Sequence, residues 1–304
     1  MRVPTGIWGL PLLALWLGAL GFVMPATQAQ PGSQLGGLMA PLEPPSGAPF
    51  RPPTPQESAL LQQLMALAQK EAVADTDLLP LVSAAVKNDN PHVRTNALTM
   101  LQIAMLSLHG SPGERARVRR AAVTEHGWPL ARDGWRDDDG VVRRYALATA
   151  MSLDLDDARR AEVTASCETF FTRDPDSRVR VVALSWLLRQ QVGLAGEGRA
   201  LIERAIADPS PSVKGEGFLA LWMRQAPDFK PFVLAKLNDE SDKMTRITAA
   251  AALLNVVTVD PSVVDAVSAQ LAKETDPVVR FRLAATVSAM RETLARAKKP
   301  GANQ

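Results

Sequence analysis

The stretch "DPDSRVRVVALSWL", Asp174–Leu187, decides the fold. A proline-bearing acidic turn comes first. Apolar residues then recur at helical spacings of three and four, with Val179, Ala183, Leu184 and Leu187 on one side. A strand would need an alternation of two, so the segment reads as a helix start followed by an apolar face.

The same grammar returns along the chain. Asp174 lies five residues before Val179, and Arg180, Ala183 and Leu184 follow. Around Val93 stand Asn88, Arg94, Ala97 and Leu98. Around Val142 stand Asp137, Arg143, Ala146 and Leu147. Val213 has Asp208, Lys214, Gly217 and Phe218, and Val279 has Glu274, Arg280, Leu283 and Ala284. After Asp239, Met244 takes the valine's place, Thr245 replaces the basic residue, and Arg246 comes one position late. These anchors are 49, 37, 34, 31 and 35 residues apart. Eight residues before Asn88, Asp137 and Asp239 stand Pro80, Pro129 and Pro231. A proline there kinks a first helix or starts its second half. Each unit is therefore expected to be two antiparallel helices of roughly 12–20 residues.

Proline, acidic turn, valine and following base together resemble the HEAT-repeat family, from about Asp75 to Arg296, with "ESALLQQLMALAQKEA" from Glu57 as a capping helix. The resemblance implies an all-α fold, an alpha-alpha superhelix or HEAT-like solenoid of about six helix pairs. It also implies a ladder between neighbouring repeats, in which Asp137, Asp174, Asp208 and Asp239 pair with bases such as Arg143, Arg180 and Lys214. Thr245 interrupts that ladder in the fifth unit. The physics agrees with the architecture. A lone helix pair cannot hide its apolar face, whereas stacked pairs bury Val179, Leu184, Leu187 and their equivalents in one continuous core. Small residues at Ala97, Ala146, Ala183 and Gly217 admit close approach. At ~0.8 kcal/mol per buried CH₂, several joined units are needed to outweigh chain entropy.

Composition fits a helical, folded chain. Of 304 residues, 46% are apolar and only 5% aromatic. A net charge of +2 is too near neutral to make nucleic acid or an anionic membrane the default partner. Cys167 is the single cysteine, so no intramolecular disulfide can form. It stands in an apolar-periodic segment and reads as a buried small hydrophobe.

Residues 1–29 have the three parts of a Sec-type signal peptide: Arg2, an apolar run from Ile7 to Val23, and small residues Thr27 and Ala29 before cleavage after Ala29. Residues 30–56 are dense in Pro and Gly and read as a disordered linker. Residues 57–74 form the capping helix, 75–297 the repeat array, and 298–304 a disordered tail. The membrane is a partner only if the leader is retained.

Candidate contact residues are few. Trp128 and Trp135 sit seven apart around Pro129 in "EHGWPLARDGWRDDDG". Tryptophan is enriched in binding hot spots, and packing against a neighbouring unit is the alternative. Trp222, Arg94 and Arg143 complete the candidate set on the second helices. The acids Asp137, Asp138 and Asp139 lack the alternation of a calcium loop and read as a turn with an N-cap. Arg115, Arg117, Arg119 and Arg120 spread around a solvated first helix. No zinc spacing, phosphate loop or nucleophile motif stands out, so no cofactor, metal or catalytic residue is assigned. The expectation is a non-catalytic protein-binding scaffold or adaptor in the bacterial cell envelope, periplasmic or secreted. Two alternatives remain: a HEAT-like lyase acting on a protein-bound pigment, and a helical-repeat nucleic-acid binder.

Overall fold

The structure, a computed structural model, describes residues 51–68, 75–109, 113–190, 196–239 and 241–297. The signal segment, most of the linker, residues 69–74 of the capping segment and the tail from 298 lie outside the described residues. So does part of the loop between Leu108 and Glu114.

Thirteen α-helices account for most of the described residues. They are α1 (Pro55–Ala68), α2 (Asp75–Ala85), α3 (Pro91–His109), α4 (Glu114–Gly134), α5 (Gly140–Ser152), α6 (Asp157–Arg173) and α7 (Ser177–Gln190). Then follow α8 (Glu197–Ala207), α9 (Pro211–Met223), α10 (Phe229–Leu237), α11 (Lys243–Leu253), α12 (Ser262–Lys273) and α13 (Pro277–Ala297), with a single 3₁₀ turn at Leu254–Val256. After α1 they fall into six consecutive pairs, as the repeat count implies. Helix lengths run from 9 residues in α10 to 21 in α4 and α13, a wider range than the spacing suggests.

The chain divides into two compact units, residues 45–187 and 188 onward. In the first, α1 lies on α3, and the second helices α3 and α5 pack side by side. In the other, α9, α11 and α13 form the equivalent row, with α8, α10 and α12 as their first helices. The five anchor valines (Val93, Val142, Val179, Val213 and Val279) are all buried. The small residues act as their spacing suggests. A Cβ on Gly134 would lie 2.7 Å from the Cβ of Ala146, so the end of α4 can rest on α5 only without a side chain there. Pro80, Pro129 and Pro231 lie inside α2, α4 and α10, and none of them ends its helix.

The helix starts are built by side-chain caps. Thr54 and Glu57 form a reciprocal capping box at α1: the Thr54 hydroxyl accepts the Glu57 N–H, and the Glu57 carboxylate accepts the Thr54 N–H at 2.7 Å. The second helices are capped by Asn90, Asp139, Asp176, Ser210, Asp242 and Asp276. Asp139 confirms the turn-and-cap reading of the three consecutive acids.

Counting from these caps corrects the register in the fifth unit. Four residues after each cap stands a base, without exception: Arg94, Arg143, Arg180, Lys214, Arg246 and Arg280. Each closes the first helical turn, its N–H donating to the cap carbonyl at 2.9–3.2 Å. The valine position is three after the cap, so Thr245 occupies it, and not Met244. Thr245 is buried and its hydroxyl donates to Asp242. The turn Asn238–Asp242 holds one residue more than its equivalents. That insertion makes the base appear late when counted from Asp239.

Candidate protein-docking surface

Four of the bases that stand four residues past a cap, Arg94, Arg143, Lys214 and Arg246, reach two ways at once. Arg94 donates from Nε and Nη2 to the two carboxylate oxygens of Asp137, both at 2.8 Å. Its Nη1 donates to the carbonyls of Asn88 and Asp89 in its own turn. Arg143 repeats the pattern on Asp174 at 2.9 and 2.8 Å, with its own turn's Asp137 and Asp138 carbonyls. The planar guanidinium suits this fork, since one edge meets a carboxylate while the other end seals a turn. Its hydrogen bonds to Asp174 raise the Arg143 pKa further above its ordinary value. The acid is equally occupied. Asp137 and Asp174 also accept the N–H two residues on, from Asp139 and Asp176.

The second unit carries the same ladder with different acids. Lys214 donates to Asp242 at 2.7 Å and to the Ile206 carbonyl at 2.9 Å. Asp239, the expected partner, accepts instead from Ser241 in its own turn. The extra residue in that turn swings Asp239 aside and brings the cap, Asp242, to the lysine. Thr245 does not break the ladder, because Arg246 takes the rung and grips Glu274 at 2.9 Å, with both side chains buried. Burial opposes the charge on Asp242 and Glu274. The hydrogen bonds from Lys214 and Thr245 to the first, and from Arg246 to the second, outweigh it and hold both carboxyls below their ordinary range. Sequence reasoning missed Asp242, Arg246 and Glu274 as a set. The signal that finds them is the distance of four from an N-cap.

An exposed rail of ion pairs joins neighbouring first helices. Arg159 forks onto Glu125 at 2.8 and 2.9 Å, Arg199 meets Asp228 at 3.1 Å, and Lys230 meets Asp260.

Four of the five candidate contact residues are therefore engaged within the fold, the two arginines half-buried and the two tryptophans buried. Arg94 and Arg143 are ladder rungs. Trp128 and Trp135 are 7% and 8% exposed and meet edge-on, centroids 5.6 Å apart. Trp135 also stands edge-on to Phe170 of α6, and Arg159 lies over Trp128. Their apolar area joins the second pair to the third, which corrects a surface role for this tryptophan pair. Trp222 alone opens to solvent, at 38%, beside the half-exposed Met223 at the end of α9. Just beyond, Gln225 at φ 52° turns the chain, and Arg224 donates to the Leu188 carbonyl. Cys167 is fully buried. Among the described residues no group of three or more His, Cys, Asp and Glu could hold a metal ion, and no helix is long and apolar enough to cross a membrane.

The fold is thus an all-α array of paired helices of the HEAT-like α–α class. Residues 198–288, from α8 into α13, match the family model described as HEAT repeats. This stretch is a HEAT-repeat region, of a kind that commonly mediates protein binding. Among solved structures, that of YibA from Escherichia coli is similar, with 14% identity and a TM-score of 0.36, over 82% of this chain and 100% of that chain. No curated protein matches the sequence.

Proposed function

We propose that this protein is a non-catalytic scaffold or adaptor that binds another protein of the bacterial cell envelope. The observation that carries the reading is the pairing of charge along the ladder. Rung after rung, Arg94, Arg143, Lys214 and Arg246 are each met by a carboxylate, while apolar Trp222 and Met223 stay open to solvent on the second-helix row. A polyanion needs unpaired positive charge, whereas a protein surface suits a tryptophan anchor. The envelope location rests on the sequence of residues 1–29, with Arg2, the Ile7–Val23 run, Thr27 and Ala29.

The test is photocrosslinking in the native host, with a benzophenone amino acid at position 222 and mass spectrometry of the products. The expected products are envelope proteins, captured again at position 223 and not at buried position 128. Recovery of DNA and cytoplasmic proteins alone would overturn the reading. Salt-sensitive DNA binding by the purified chain would favour the nucleic-acid alternative.

A further inference from the structure

The last rung of the ladder is open. Arg280 stands four residues past the Asp276 cap, as Arg246 stands past Asp242. Arg246 is buried against Glu274. Arg280 is exposed and makes no side-chain hydrogen bond or ion pair among the described residues. The apolar face beside it is open too. Eight residues past their caps, Leu98, Leu147, Phe218 and Ala250 are buried to within 1% of full burial, yet Ala284 is exposed. Five past the cap, Ile247 is 3% exposed and Phe281 is 69% exposed. Between α12 and α13 this face forms a groove of roughly 660 Å³, in which Leu271, Pro277 and Phe281 flank Arg280. The hydroxyl of Ser268, also on the groove, has no hydrogen-bond partner among the described residues.

We infer that this end of α12 and α13 is a docking site for a helical segment of a partner protein that carries a carboxylate in the turn just before an apolar helix. The molecule itself supplies the template for that occupant. Within each unit the equivalent face is covered by a further helix pair, whose turn brings Asp137, Asp174, Asp242 or Glu274 to the base. A second copy fits poorly. Its own open end would oppose Arg280 with Arg280, and its first helix pair is already covered by α1. The segment that follows α13 fits no better, because it begins with Lys298 and Lys299, which would set like charge against Arg280. A capping unit normally shows solvent a polar face, so an exposed phenylalanine beside a free arginine is a stacking surface without its next layer.

This inference deepens the scaffold reading but is independent of where the protein resides. The probe is a stapled helical peptide of residues 239–256 of this chain, labelled for fluorescence anisotropy and shown to be helical by circular dichroism, titrated onto the full-length protein. The expected result is saturable binding that weakens about tenfold or more with Arg280→Glu, and that Asp242→Lys in the peptide restores on that variant. Ala284→Trp, which fills the groove without touching the charge, abolishes binding. Equal binding by wild type and Arg280→Glu, or none by the wild type, overturns the inference. Two other results also overturn it, by naming a different occupant. One is a dimer in sedimentation that Arg280→Glu dissolves. The other is tighter peptide binding after deletion of residues 298–304. Loss of envelope crosslinks at position 222 with intact peptide binding would sink the location alone.

Discussion

The start of the first unit and the end of the second are finished in opposite ways. At the start, α1 lies over α3, and its Glu57 is held by Thr54, Arg51 and Asn90, so the first layer is closed by a lid with its own capping box. At the end, α13 turns Arg280 and Phe281 to solvent. The lesson concerns environment. One residue type, four places after a cap, is a buried structural rung when a carboxylate follows and a free surface cation when none does. The same sequence signal therefore carries stability at Arg246 and is available for binding at Arg280.

Four measurements can break or sharpen that contrast. The largest effect is expected at the buried rung. Glu274→Gln leaves Arg246 charged without its counter-charge in the interior, and should cost about 3–5 kcal/mol in urea unfolding. A loss near zero would show that the ladder ornaments the fold rather than holding it. Asp137→Asn acts on a pair that is partly solvated on both sides. It should cost about 1.5–3 kcal/mol, as for hydrogen bonds to a charged group.

The third measurement is acid titration of the closed end. Hydrogen bonds, first from the Thr54 N–H and then from Arg51 and Asn90, outweigh desolvation and lower the Glu57 pKa from 4.5 to about 2. A folded-state value below the unfolded one gives stability that is full above about pH 4.5 and is lost as pH falls toward 2. Protection of the α1 amides from hydrogen exchange should fall across that window, and Glu57→Gln should flatten the fall. Depressed carboxyls at Asp242 and Glu274 place the second unit's acid loss in the same direction. The smallest effect belongs to the open rung. Arg280→Ala should change stability by no more than about 0.5 kcal/mol, since nothing in the fold leans on it. A large loss there would mean that Arg280 is structural after all.

Much of this was legible in the residues. The acid–valine–base grammar gave the helix pairs and their number, and it marked the ladder. A base that follows a cap by a fixed step must face the same way in every copy, because the helix period is fixed. The failure at Thr245 came from counting along the chain from the first acid. A one-residue insertion in a turn changes that count but leaves the distance from cap to base untouched. Trp128 and Trp135 misled for another reason. Nothing local separates a tryptophan that anchors a partner from one that welds two repeats, since both need an apolar face at helical spacing.

Sequence by itself determined the repeating unit, its helices, its caps and the chemistry of each rung, all set by backbone geometry within a few residues. Only the tertiary structure decided which acid meets which base, which tryptophans are interior, and which rung is left open. Those outcomes depend on whether another layer lies against the face, and burial is a property of neighbours that no single segment encodes.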